Sequence, residues 1–313
     1  MALAFTFPGQ GSQAVGMGKP LAESFASARA VFEEVDDALG QKLSQLMWDG
    51  PIEELTLTEN AQPAIMAVSL AAMAALKSDF DVDVTAAKFV AGHSLGEYSA
   101  LCAAGALSVS DAAKLLKLRG QSMQKAVPVG QGAMAALLGA EMEQAEKAIE
   151  LAGSEGIVTI ANDNAPGQIV ISGDKAAVDA AVAAIKDLGV RKAMLLPVSA
   201  PFHCPLMEPA ADAMAEALKS AAISNPSVPV VTNVSAGAVS DAETLRTQLV
   251  EQVTGKVRWR ESVDWMHGQG VEQFVEAGAK VLTTMLKRHI KEAQGVALVT
   301  AEDLEAFAAS LKG

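Results

Sequence analysis

Two hydrophobic periods alternate along this chain, and the points where one gives way to the other predict its elements. Short apolar runs with β-branched or aromatic residues predict strands at Phe5-Thr6-Phe7, Lys88-Phe89-Val90-Ala91, Pro229 to Asn233 and Gln273 to Glu276. Apolar positions at helical spacing predict helices from Leu21 to Leu39, Ala64 to Leu76, Asp212 to Ala222, Glu243 to Val253 and Lys280 to Ile290. A further helix, Ser110 to Arg119, has a serine to cap its start and Gly120 to end it.

From Gly132 the texture changes. Ala133 to Leu138 reads as a strand, Met142 to Ala152 as a helix stopped by Gly153, and Ile157 to Asn162 and Gln168 to Ser172 as strands joined by Asp163-Asn164-Ala165-Pro166-Gly167. Lys175 to Leu188 places Val178, Val182, Ile185 and Leu188 on one face of a helix that stops at Gly189, and Lys192 to Leu196 is a last strand. That β-α-β-β-α-β order is the ferredoxin-like unit. The chain therefore divides into an α/β core, residues 1–131 and 198–313, and an inserted ferredoxin-like subdomain, residues 132–197.

Gly92-His93-Ser94-Leu95-Gly96 stands between a predicted strand and the helix formers Glu97 to Ala104. A serine at such a corner has its hydroxyl pushed out above the sheet edge, over the N-terminus of the next helix. Free N–H groups there can donate to an oxygen that becomes negative during acyl transfer. Gly92 and Gly96 fit a bend too tight for side chains. The loop Pro8-Gly9-Gln10-Gly11-Ser12-Gln13 follows the first strand, at the strand end where open α/β sheets bind ligands.

Half of the 313 residues are hydrophobic and few are aromatic, which suits a core of small, closely packed side chains. The formal net charge of −13 argues against nucleic acid or an anionic membrane as partner. Cys102 and Cys204 have no metal-like spacing and read as free thiols of a cytoplasmic protein. The first residues carry no positive charge and read as a strand, not a signal peptide. The apolar run Ala64 to Leu76 is too short to span a bilayer and reads as a buried helix.

A serine needs a base to take its proton, and histidine suits the task. Of the four histidines, His93 adjoins the serine but points elsewhere at a sharp turn, His267 falls near a helix end, and His289 lies among Lys287, Arg288 and Lys291, where it reads as solvated. His203 stands between Pro201 and Pro205 in a stiff loop that can aim a side chain, so it reads either as the base or as a surface residue. The histidine spacing fits no metal motif, and Gly9-Gln10-Gly11 lacks the rest of a dinucleotide or phosphate loop.

Phe7-Pro8-Gly9-Gln10-Gly11-Ser12-Gln13, Gln62-Pro63-Ala64, Gly92-His93-Ser94-Leu95-Gly96-Glu97-Tyr98, Arg119-Gly120 and Ala200-Pro201-Phe202-His203 follow one another in order. Together they resemble the malonyl-CoA:acyl carrier protein transacylases, acyltransferases of fatty acid and polyketide synthesis, over nearly the whole chain. The resemblance implies a hydrolase-like α/β core and a cofactor-free ping-pong transfer of malonyl from CoA to the phosphopantetheine thiol of acyl carrier protein. Carried over by position, it implies Ser94 as nucleophile, His203 as base, Gln252 orienting His203 through its main-chain carbonyl, and the N–H groups of Gln10 and Leu95 as an oxyanion hole. It further implies that Arg119 holds the malonyl carboxylate, that Gln62 and Asn162 adjoin the pocket, and that Phe202 marks malonyl over methylmalonyl. An acidic carrier protein would need a basic face on this acidic chain, for which Arg191-Lys192 and Lys287-Arg288 are the candidates. In one place the chain departs from the family: Gly278-Ala279-Lys280 is one residue shorter than the usual glycine-rich turn, so a displaced loop is expected there. Two other readings stay open, an esterase with Asp163, Asp174, Asp179 or Asp187 as the acid, and a binding module without catalysis.

Overall fold

The computed structural model describes residues 1–312. In chain order its strands are β1 (Ala2–Phe7), β2 (Phe89–Gly92), β3 (Gly132–Leu138), β4 (Val158–Ala165), β5 (Gln168–Asp174), β6 (Lys192–Leu195), β7 (Val230–Val231), β8 (Ala238–Val239), β9 (Val271–Ala277) and β10 (Gln294–Leu298). The larger sheet runs β10-β9-β1-β2-β7-β8, parallel throughout except for the β7–β8 hairpin. The smaller sheet, β4-β5-β3-β6, is antiparallel. The protein is thus an α/β fold with a parallel sheet and an inserted β-α-β-β-α-β unit.

Strand β1 shows no in–out alternation because helices cover both faces of its sheet. Phe5 and Phe7 pack on one side with Ile65 and Val68 of the Thr58–Phe80 helix, whereas Ala4 and Ala91 pack on the other with Trp259, Val263 and Leu286. The small sheet has a separate apolar core, built from Leu137, Ile169, Ile171, Val178 and Ile185. The two units join where Asn162 bridges Val257 in parallel register and Val257 N–H donates to the Ala161 carbonyl at 2.8 Å. The Arg260 guanidinium holds the buried Asp163 carboxylate there through Nε at 2.9 Å and Nη2 at 2.8 Å.

Several element boundaries differ from those expected. The buried helix starts at Thr58, not Ala64, and carries Pro63 inside it. The proline removes one backbone bond near the helix start, too little to end a helix buried along most of its length. At 23 residues this helix is long and apolar enough to cross a membrane, but 72% of its most apolar window is buried within the fold. The helix expected from Ser110 to Arg119 runs Val109–Ala126, capped by Ser108, whose Oγ accepts the Asp111 N–H at 3.0 Å. Gly120 does not end it. A Cβ at Gly120 would lie 2.5 Å from Glu59 Cα, so this glycine lets two helices cross backbone to backbone. The last expected helix is shorter, Leu282–His289, and β10 and the Ala301–Ser310 helix follow it unanticipated.

Candidate active site

Parallel strands β9, β1, β2 and β7 lie side by side, so the loops leaving their C-terminal ends meet above one sheet edge. After β2 the chain reverses at Ser94, which adopts φ 53°. Its Oγ lies 2.8 Å from Nε2 of His203, which the Pro201–Pro205 loop delivers, likewise with positive φ, at 57°.

The tautomer of His203 follows from its other side. Nδ1 faces the main-chain carbonyls of Gln252 at 2.9 Å and Gly255 at 3.1 Å, which can only accept, so Nδ1 carries the proton and Nε2 is bare. The Ser94 hydroxyl therefore donates to Nε2. Burial first, then the nearby Arg119 charge, lowers the His203 pKa to about 3, so the ring stays neutral and able to accept a proton. Among the described residues, no aspartate takes a place in this relay. Asp163 is bound by Arg260, Asp174 accepts the Ile157 N–H at 2.7 Å, Asp179 pairs with Lys175, and Asp187 is exposed.

Arg119 lies 1% exposed in the middle of its helix, with the guanidinium aimed at the serine. Nη1 donates to Gln62 Oε1 at 2.7 Å, and Nη2 donates to Gln252 Oε1 at 2.9 Å and to Ser94 Oγ at 3.2 Å. All three acceptors are neutral, and Nε is buried without a partner. Gln252 thus serves twice, its main chain facing His203 and its side chain joining Arg119 to Ser94, whose carbonyl accepts from Nε2 at 3.0 Å. Gln62 is fixed in turn by Thr58, whose Oγ1 donates to Gln10 Oε1 at 2.9 Å.

These groups open into a cavity of about 290 Å³ between the two sheets. Gln10, Gln62, Ser94, Leu95, Arg119, Asn162, Phe202 and His203 all line it, and Met134 and Val170 of the small sheet supply apolar wall. Gln252 reaches the site but not the cavity surface. The shortened turn is held by Glu276, which accepts the N–H groups of Val281 and Thr283, both at 2.8 Å, and Val281, Leu282 and Met285 line the cavity.

The other histidines have structural settings. His93 Nε2 lies 2.8 Å from Asn164 Oδ1, and its ring packs on Trp259. His267 Nδ1 donates to the Val271 carbonyl at 2.9 Å. His289 is not solvated as expected: it is 9% exposed, and its Nε2 lies 2.6 Å from Asp264. The same helix turns Lys287 and Arg288 outward while His289 faces its neighbour. Two further residues beside the site were given no role by the sequence, Asn233, which stands in no motif, and the buried Glu97 of the serine motif, whose pKa burial pushes up to about 7.

Comparison with known proteins shows the family. The acyl transferase domain family matches residues 4–303. The malonyl CoA-acyl carrier protein transacylase of Bacillus subtilis is 44% identical over 99% of this chain and 97% of its own, and that of Escherichia coli K12 is 43% identical over 99% and 98%. The crystal structure of an acyl-carrier-protein-S-malonyltransferase from Bartonella henselae superimposes with a TM-score of 0.98 at 52% identity, over all of both chains. A malonyl-transacylase solved in complex with a type II polyketide synthase acyl-carrier protein gives 0.95 at 40% identity, over 99% of this chain and 100% of that one. With its serine corner, its imidazole and its cavity arranged as described, the chain belongs to the acyl transferase family, among the malonyl-CoA:acyl carrier protein transacylases.

Proposed function

We propose that this protein moves malonyl from CoA to the phosphopantetheine thiol of acyl carrier protein through a malonyl ester on Ser94. One observation carries the reading: a serine activated by a neutral imidazole lies beside a buried guanidinium that has only neutral partners. A buried cation without a counter-charge is costly, and a carboxylate from a ligand relieves that cost. Guanidinium binds carboxylate by two parallel hydrogen bonds, which lysine cannot match. Malonyl presents a carboxylate one methylene away from the reacting carbonyl, a spacing that suits Arg119 beside Ser94 Oγ.

In the first half-reaction Ser94 Oγ attacks the thioester carbonyl carbon while its proton passes to His203 Nε2. The resulting oxyanion takes hydrogen bonds from the N–H groups of Leu95, at the start of the Gly96–Ala103 helix, and Gln10. The C–S bond then breaks and the proton on Nε2 goes to the departing sulfur. Arg119 must exchange its bond to Ser94 Oγ for the malonyl carboxylate, while Gln62 and Gln252 keep its plane fixed. The carrier thiol reverses the sequence, with Nε2 accepting its proton and returning it to Ser94. Asn162 and Phe202 shape the wall against which the acyl chain lies.

The acidic carrier protein would approach the cavity mouth. Arg191 and Lys192 are exposed at β6, just before the cavity residues Leu196 and Pro197, and Lys287 and Arg288 are exposed on the helix that contributes Leu282 and Met285. Two basic pairs on elements that also line the cavity fit a docking face. The same reading places the reaction in the cytoplasm, where both CoA esters and carrier protein are met.

Ser94→Ala should abolish transfer of radiolabel from malonyl-CoA to the protein; labelling at the wild-type level ends the proposal. Replacing Arg119 by Ala should lower kcat/KM for malonyl-CoA about 100-fold, the worth of a lost charge-assisted pair, and that for acetyl-CoA far less. Equal losses in a side-by-side assay would remove the carboxylate role. Because the His203 pKa lies below that of a free imidazole, its neutral form persists under acid conditions. Self-acylation should therefore hold down to about pH 5, where an unperturbed histidine near 6.5 would be mostly protonated. An acid limb at pH 6.5 in the rate profile would contradict this. Charge reversal at Arg191, Lys192, Lys287 and Arg288 together should raise KM for carrier protein and leave self-acylation unchanged; unaltered carrier kinetics would refute the docking face.

A further inference from the structure

Ser94 is held at φ 53°, in a region that an L-residue leaves unless its surroundings keep it there. One side chain holds the backbone on both sides of that reversal. Asn233, just beyond β7, accepts the Ser94 N–H through Oδ1 at 2.7 Å and donates Nδ2 to the Gly92 carbonyl at 2.6 Å. Ser94 N–H can only donate and the Gly92 carbonyl can only accept, so the orientation of the amide is forced. Its main chain is fixed as well: Asn233 N–H donates to Glu97 Oε2 at 2.8 Å, and its carbonyl accepts the Arg258 N–H at 3.1 Å. Asn233 and Glu97 are both fully buried, and neither reaches the cavity.

We infer that Asn233 is a positioning residue for the nucleophile, clamping the chain reversal from Gly92 to Ser94 so that Oγ stays within reach of His203, with Glu97 anchoring the clamp. The inference rests on Ser94 being the group acylated. It requires a donor and an acceptor side by side, a combination that asparagine offers and a carboxylate does not. A protonated aspartic acid offers it too: its carbonyl oxygen takes the Ser94 N–H and its O–H reaches Gly92. Once ionised, that side chain sets a negative oxygen against the Gly92 carbonyl and loses the clamp. The charged and titratable groups around the position are Glu97 from the following helix, Arg258 from the loop at Val257, and His93, Arg119 and His203 around Ser94.

Asn233→Asp tests this, with single-turnover labelling of Ser94 by malonyl-CoA measured from pH 5.5 to 8.5 and expressed per folded molecule by circular dichroism. At pH 8 acylation should be about 100-fold slower than wild type, as for a nucleophile displaced by about an ångström, with KM for malonyl-CoA unchanged. At least about tenfold of the rate should return as the acid form is restored towards pH 5.5, a gain absent from wild type. A wild-type rate at pH 8, a loss independent of pH, or a change in KM alone overturns the clamp. Should the aspartate variant not fold, Asn233→Ala decides in its place: slow acylation per folded molecule at unchanged KM supports the inference, and a wild-type rate overturns it. If wild-type protein takes no label at Ser94, the transferase reading fails instead, and the two failures are distinct.

Discussion

At Gly92 the strand β2 and the helix after it touch backbone to backbone. A Cβ there would lie 1.9 Å from the carbonyl carbon and oxygen of Gly96, and one at Gly96 would lie 2.3 Å from the Phe7 carbonyl oxygen at the end of β1. Three elements therefore converge without side chains between them, which only glycine permits. The chain must reverse within two residues of that contact. Ser94 at the apex has one way to point, outward over the sheet edge, and it faces the cavity there. Move those elements apart by the width of a methyl group and the serine, the helix N-terminus and the loop carrying Gln10 no longer share one site.

The polar interior around this corner is built mostly from neutral amides. Gln62 and Gln252 hold Arg119, and Asn233 holds the backbone of Ser94. Carboxylates in those places would neutralise the guanidinium and compete with an anionic ligand. The one carboxyl nearby, Glu97, is raised to about 7 by burial, against the opposing pull of the Asn233 N–H and the Arg119 charge. Its protonated form contributes stability that is fully present below its ordinary pKa of 4.5 and lost as pH rises through about 7. Burial acts on Arg119 and His203 in the opposite sense, lowering both. The site thus keeps one buried positive charge facing the cavity and a neutral base.

The fold was legible in the chain wherever periodicity was strong. The β-α-β-β-α-β order could be read from Gly132 onward because its turns are marked by Gly153, Pro166-Gly167 and Gly189. Punctuation misled where tertiary contacts overrode it: Pro63 lies inside a helix, and Gly120 serves a helix crossing and not a stop. Ser94 and its corner were visible from local pattern alone, since glycines at those positions have few other uses. Local pattern left His203 open between base and surface residue and gave Arg119 and Gln252 no catalytic role, because what brings them together is spatial: His203 comes from 109 residues away and Gln252 from 158. Resemblance to a family pointed to them where pattern could not. Neither route gave a role to Asn233 or to Glu97, although Glu97 stands in the serine motif, because their importance lies in hydrogen bonds across the sheet edge. Nor could the sequence tell that His289 would turn in to meet Asp264 from a stretch of basic residues.

The backing of His203 by two carbonyl oxygens instead of a carboxylate bears on how long its ring can hold a second proton. Carbonyl dipoles orient the ring but add no full negative charge to steady an imidazolium, and Arg119 nearby makes that cation less comfortable still. A proton on Nε2 is therefore a passing state that must be handed on at once. Thiols, with pKa values near about 8.5, leave as anions needing little help from an acid. Nitrogen leaving groups need the proton delivered in full before their bond can break. In the proposed transfer the departing CoA sulfur therefore asks little of this imidazole as an acid, and it is the release of Ser94 Oγ to the carrier thiol that draws on its proton in full.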